Sequence, residues 1–277
     1  MSFPLQIGGT NSSGVNQFKI NLPNSVDLSP FDVSIGECFI YNAWNNISSQ
    51  FNNQQFQLTI PTSGTSVVAT LTVPDGGYNI ADLNNYLQFW LISQGYYLTN
   101  TATRLNQYYA AFELSPTSYS IQFITYPMPT SLPPGFVSGG MTFPGSSNQH
   151  YQLTVLNNNF RDLIGYNIGT YPTVPTNIGV QTKQSDYPPN VGTVSVVQIR
   201  LSCVSSPFSS NNQLIHTFAA GGVPFGALIN AGSSYDQRVP CVGAHRELTL
   251  SLFDQLGRPL QLIDKNVSIK LLFTRRS

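Results

Sequence analysis

Apolar and polar residues alternate most regularly near the end of the chain. Leu248, Leu250 and Leu252 interleave with Thr249 and Ser251; Val267, Ile269, Leu271 and Phe273 interleave with Ser268, Lys270 and Leu272. A period of two is that of a strand with one buried face. Between the runs, Asp254-Gln-Leu-Gly257-Arg-Pro259 has turn chemistry: an Asp that can bond back to the backbone, a Gly that tolerates positive φ, and a Pro that cannot continue a central strand. Two strands that each bury one face need a second sheet to bury it against. Residues 246–273 therefore predict a closing strand–turn–strand hairpin of a β-sandwich.

Earlier in the chain, residues 17–22 predict a strand ended by Pro23, residues 37–44 a strongly apolar one, and 55–60 and 65–73 a pair separated at hairpin length. Residues 108–114, 119–126, 151–155, 194–203, 214–218 and 225–229 read as further strands. The helical period belongs to Ile80, Leu83, Leu87, Trp90 and Leu91, which predict a helix over 80–94. Asn79 caps it, Asp82 favours its positive end, and Gly95 offers the exit. Trp90 lies in the apolar stripe, which makes it a core residue and not a ligand platform. Asn157 and Gly165 bracket a helix of one or two turns. The Pro- and Gly-rich stretches 127–145 and 166–193 read as loop, and residues 1–15, rich in Gly and Ser, as a flexible N-terminal arm.

Composition adds one unusual feature. Charged residues are 9% of the 277, against about 25% in ordinary soluble domains. Polarity comes instead from 25 Asn and 19 Gln. Lys plus Arg (12) balances Asp plus Glu (12), which argues against nucleic acid as the main partner. A neutral, charge-poor surface favours assembly. No window approaches the ~20 apolar residues of a membrane span. The start, Met-Ser-Phe-Pro-Leu-Gln-Ile, lacks the basic and apolar regions of a signal peptide, and synthesis inside the cell is expected. Cys38, Cys203 and Cys241 are odd in number and widely spaced, so they read as buried free thiols.

Candidate chemistry is thin. His150, His216 and His245 stand alone, without His-x-His, His-Glu-x-x-His or Cys-x-x-Cys spacing. Cys241 and His245 are neighbours in a Pro- and Gly-containing loop with no further ligand close by. There is no Gly-x-Ser-x-Gly elbow. Asp75-Gly76-Gly77 follows Pro74 and precedes Tyr78, which makes it a turn and not a phosphate cradle. The sequence offers no catalytic residue, no metal site and no cofactor site. Arg275-Arg276 reads as a solvated chain end.

Four blocks, taken in order, resemble the penton (minor capsid) proteins of virophages and Polinton-like viruses. They are Ile40-Tyr-Asn-Ala-Trp-Asn-Asn-Ile47; Leu71-Thr-Val-Pro-Asp-Gly-Gly-Tyr-Asn-Ile80; Leu163-Ile-Gly-Tyr166; and Leu250-Ser-Leu-Phe-Asp-Gln-Leu-Gly-Arg-Pro-Leu260 with its closing strand. The resemblance implies a single jelly-roll β-sandwich over residues 1–60 and 191–277, with a mostly β insertion, carrying one clear helix, over 61–190. It implies a homopentamer at the five-fold vertices of an icosahedral virion, contacting the major capsid protein. The insertion would face outward, and the N-terminal arm and Arg275-Arg276 would make inter-capsomer or interior contacts. The rival expectation is a lectin-like jelly roll that binds a host glycan or receptor through Asn, Gln and exposed aromatics. An enzyme built on the sandwich has only the versatility of the fold behind it.

Overall fold

The computed structural model describes residues 2–8, 16–192, 194–206, 212–232 and 237–276. The chain divides into two compact units, Met1–Asn45 with Val194–Ser277, and Asn46–Thr193. The first unit opens with β1 (Ser2–Gly8), β2 (Gln17–Asp27) and β3 (Phe31–Tyr41). The second runs β4 (Gln55–Ile60), β5 (Val67–Thr72), α1 (Ile80–Ser93), β6 (Leu98–Asn100), β7 (Asn106–Gln107), β8 (Ala110–Leu114) and β9 (Ile121–Thr125). It continues through β10 (Phe136–Ser138), β11 (Gln152–Val155), α2 (Asn158–Ile164), β12 (Gly169–Tyr171) and β13 (Gln181–Gln184). The chain then returns to the first unit with β14 (Val196–Leu201), β15 (Leu214–Ala219), β16 (Leu228–Asn230), β17 (Val239–Pro240), β18 (Ala244–Asp254) and β19 (Ser268–Arg275).

One sheet of the first unit is ordered β1-β19-β3-β16, with β17 also on β3, and the other β15-β14-β18-β2. All of these pairings are antiparallel. Leaving out the short β17 and counting along this unit alone, the first sheet reads first, eighth, third, sixth, and the second fifth, fourth, seventh, second. That order, with two Greek keys wound over two four-stranded sheets, is a jelly roll. Ile7, Val33, Ile35, Ile269, Leu271 and Phe273 from one sheet share a single buried core with Phe18, Val197, Ile199, Leu248, Leu250 and Leu252 from the other.

Several expectations need correction. The closing pair is no hairpin, because β18 and β19 lie in different sheets. Each is flanked on both sides, so both of its backbone hydrogen-bonding edges are satisfied. Pairing the two with each other would take from β1 and β2 their only ladder partners among the described residues. The link between them buries Leu260 and Leu262, and Leu262 bridges Trp44. Nor are residues 2–8 a loose arm. Phe3, Leu5 and Ile7 alternate inward, β1 pairs with β19, and Phe3 stacks on Phe273 at 4.9 Å; residues 9–15 lie outside the described residues. β2 does not end at Pro23. Its ladder to β18 breaks between Asn21↔Glu247 and Val26↔His245, and Pro23, with no N–H to donate, sits in that break. Arg276 is exposed but not a free end, since its guanidinium bonds Asp32 Oδ1 at 2.6 Å and the Cys241 carbonyl at 2.9 Å.

The turn after β18 is organised by one buried carboxylate. Asp254 Oδ1 accepts from the N–H groups of Leu256 and Arg258, each at 2.9 Å, and Oδ2 from Arg258 Nε at 2.6 Å. Gly257 takes φ 74° within the same turn.

The second unit begins at Asn46 rather than at residue 61, because β4 belongs to its sheet β12-β11-β4-β5; on the other side the division falls after residue 193, not 190. Two three-stranded sheets, β13-β9-β8 and β10-β6-β7, complete it, so the stretches read as loop contain β10, β12 and β13. α1 has a full capping box: Asn79 accepts from Asp82 N–H, and Asp82 accepts from Asn79 N–H. It buries Ile80, Leu83, Leu87 and Leu91, while Trp90 is only partly buried and stacks near Tyr96. Asn84 on its flank accepts from the Phe112 N–H at 3.0 Å. Phe56 sits between Phe112 and Phe160 in the core.

A buried amide fastens the start of this unit. Asn46 Nδ2 donates to the carbonyls of Tyr78 (2.6 Å) and Val191 (2.7 Å), and its Oδ1 accepts from Tyr78 N–H (2.8 Å). Beside it Ile47 and Gly76 exchange backbone hydrogen bonds, so two sequence blocks that are far apart in the chain meet as one clasp. An amide suits this place because it donates and accepts at once without burying a charge.

Two substitutions test these anchors. Asp254→Ala should lower unfolding free energy by about 2–4 kcal/mol, seen as a lower urea midpoint at unchanged slope. Asn46→Ala should cost about 2–4 kcal/mol and speed hydrogen exchange at the Tyr78 amide, leaving that of Leu250 in the sandwich much less affected.

Candidate functional site

In the second unit, one segment, residues 171–183, folds back on itself around a depression of about 520 Å³. Phe123, Tyr171, Asn177, Gln181, Thr182 and Lys183 line it. Tyr171 ends β12, and its bond to Pro172 is cis. β13 supplies the opposite wall and continues a sheet through β9. The volume falls within the range of small-ligand sites, and aromatic, amide and hydroxyl groups converge on it.

The middle of the segment is pegged by His150, which is fully buried. His150 Nε2 lies 2.9 Å from the Asn177 carbonyl, which can only accept, so this nitrogen carries the proton. Nδ1 then accepts from the Thr125 hydroxyl at 3.0 Å. Backbone bonds from His150 N–H to the Pro175 carbonyl and from Asn177 N–H to the Asn148 carbonyl add to the fastening. Val180 also lines the depression, and the same segment exposes Val174, Ile178 and Val180, Ile178 to 82%.

At the base of the segment, Lys183 pairs with Asp186, and its Nζ lies 5.2 Å from the centre of the Tyr171 ring. Burial works against the Asp186 carboxylate. The Lys183 ammonium and the Asn167 N–H outweigh it and hold the carboxyl below its usual range. Burial first, then the Asp186 charge, pushes the Tyr171 phenol up, while Lys183 opposes them. The lysine charge is thus already matched, and what faces the depression is mainly neutral amide, hydroxyl and aromatic surface.

Tyr166 supports the wall from behind. Its buried hydroxyl donates to the Lys183 carbonyl at 2.6 Å and accepts from Phe123 N–H at 2.8 Å, and burial pushes its phenol far up. Gly165, which closes α2 at φ 75°, has no room for a side chain: a Cβ there would lie 2.2 Å from the Tyr187 carbonyl oxygen.

The groups weighed for chemistry are dispersed. His216 packs beside Phe218, and burial lowers its pKa. His245 faces the Val242 carbonyl at 2.7 Å, and the neighbouring Cys241 faces Cys203 instead. All three cysteines are free and buried. Among the described residues, no group of three or more His, Cys, Asp or Glu side chains is placed to hold a metal ion. No described helix is long and apolar enough to cross a membrane. Sequence reasoning missed the depression because its walls lie in a stretch read as loop. Its peg joins His150 to a carbonyl 27 residues away, a separation with no local signature.

No protein-family model matches the chain, and no curated protein matches its sequence. Among solved structures it is similar to the mavirus penton protein, with 12% identity, 99% of both chains covered and a TM-score of 0.42. It is also similar to a chain in the 3.5 Å cryo-EM structure of the Sputnik virophage, with 13% identity, 99% of this chain and 98% of that chain covered, and a TM-score of 0.43. At these values the likeness carries no further argument, and the assignment of the jelly roll rests on the strand order of the chain itself.

Proposed function

We propose that the chain is a structural capsid protein that acts by assembly and not by turnover. The observation that carries this reading is the strand order of the first unit, since the eight-stranded jelly roll is the fold of viral capsid and lectin domains. A fold does not by itself fix a function. The four sequence blocks tip the balance towards a shell component, and each has a structural task. The first two form the Asn46–Gly76 clasp, the third closes α2, and the fourth builds the Asp254 turn. A surface with only 9% charged residues in the chain suits burial against neighbours.

The finer reading is a homopentamer at the icosahedral five-fold vertices of a virion, bounded by major capsid protein. Five copies would repeat one heterologous contact that closes into a ring. On this reading the second unit faces outward. Light scattering on the purified protein, alone and mixed with its major capsid protein, tests it. A five-fold mass or five-fold particles in negative stain are expected, and a strict monomer that never joins shells overturns the proposal.

A second reading, recognition of a neutral glycan, is favoured by one observation: the depression between Tyr171, Asn177, Gln181 and Thr182. Amides can bond to sugar hydroxyls, and an aromatic ring can pack on an apolar sugar face. Glycan-array binding by the isolated protein, reduced at least about tenfold by Tyr171→Ala, is the expected result. An array with no binding by the unsubstituted protein removes this reading and leaves the shell proposal standing.

A further inference from the structure

We propose that Cys203 and Cys241 are the two halves of an intrachain disulfide that forms within the folded sandwich under oxidising conditions. Their sulfurs lie 4.0 Å apart, and both residues are buried, at 0% and 1% exposure. The backbone holds them together. Val242 N–H donates to the Cys203 carbonyl at 2.8 Å, Ser205 N–H to the Pro240 carbonyl at 3.1 Å, and Val204 bridges Cys241. Cys203 is thus one position away from the residue that faces Cys241 across the bridge. Forming the bond has to bring the sulfurs only about 2 Å closer.

The surroundings favour this pair over the third cysteine. Cys38 lies on β3 opposite Ile269, and burial pushes its thiol up to about 12. The Cys241 thiol is also held protonated, first by its hydrogen bond with Cys203 and then by burial, so the reduced pair waits as an unreactive dithiol. The chain end covers it: Arg276 donates to the Cys241 carbonyl and pairs with Asp32. Transient release of that end admits an oxidant.

With oxidised glutathione as the oxidant, one thiolate attacks its disulfide and expels one glutathione thiolate, leaving a mixed disulfide. The second cysteine thiolate then displaces the other glutathione. The two protein thiols are oxidised, the glutathione disulfide is reduced to two thiols, and the two protein protons end on glutathione. The new bond closes the chain from 203 to 241 around β15, β16 and β17. It restricts the unfolded ensemble and raises the melting temperature by about 5–10 °C. None of this depends on the capsid reading.

The test incubates the reduced, folded 277-residue chain with oxidised glutathione well below its melting temperature. The protein is then denatured, alkylated and digested with trypsin, which cuts after Arg200, Arg238 and Arg246. Expected are a cross-link between peptides 201–238 and 239–246, alkylation of Cys38 alone, and the higher melting temperature. Cys203→Ser and Cys241→Ser should each abolish the shift, and Cys38→Ser should retain it. The proposal is overturned if all three cysteines remain alkylatable after oxidation, if Cys38 enters the cross-link, or if linkage appears only where circular dichroism reports unfolding.

Discussion

The sandwich depends on the chain's last two strands being interior strands of opposite sheets. β19 lies between β1 and β3, and β18 between β14 and β2. Their buried rows, Leu248, Leu250 and Leu252 on one and Ile269, Leu271 and Phe273 on the other, face each other across the core. Three of the four flanking strands precede residue 46, so the sheets close only after the whole second unit has been made. Such pairing is non-local and slow to find. It is held by burial rather than by charge: Asp254 is the one acidic side chain among the fully buried described residues, and it is consumed by its own turn.

The shortage of charge has a second meaning inside the molecule. Composition alone points the amides towards surfaces that assemble. Many are internal fasteners instead: Asn79 and Asn157 cap helices, Asn46 and Asn53 build the clasp, and Asn84 bonds the Phe112 N–H. Gln184 reaches the hydroxyls of Ser115, Ser118 and Ser120. Asn46 and Asn53 each donate and accept at once, which a carboxylate or an ammonium cannot do without burying a charge. Low charge and high amide content are therefore partly the cost of pinning many short strands and turns.

The two units differ in architecture. The jelly roll supplies an architecture shared by shells and lectins, while the second unit supplies the shaped depression. The segment around the depression is fastened at its middle by the buried His150. Beneath the chain end, the thiol pair at Cys203 and Cys241 answers to redox conditions and is independent of both roles.

The sequence by itself determined the buried faces of the most regular strands and where the two helices and the turn after β18 lie. The period-two rows of β18 and β19, the Asn79 box, the Asn157–Gly165 helix and the Asp254–Pro259 turn all depend on neighbours a few residues apart. Only the tertiary structure decided partners. β1 was hidden because its flanking Gly and Ser outweighed Phe3, Leu5 and Ile7, whose burial requires β19. β2 passes Pro23 because the missing N–H falls in a ladder break set by β18. That β18 and β19 part into two sheets, that Asn46 meets Tyr78 and Val191, that His150 holds Asn177, and that two cysteines far apart in the chain touch all follow from sheet order. Sheet order is a choice among distant strands of equal local pattern, and a local period carries no record of it.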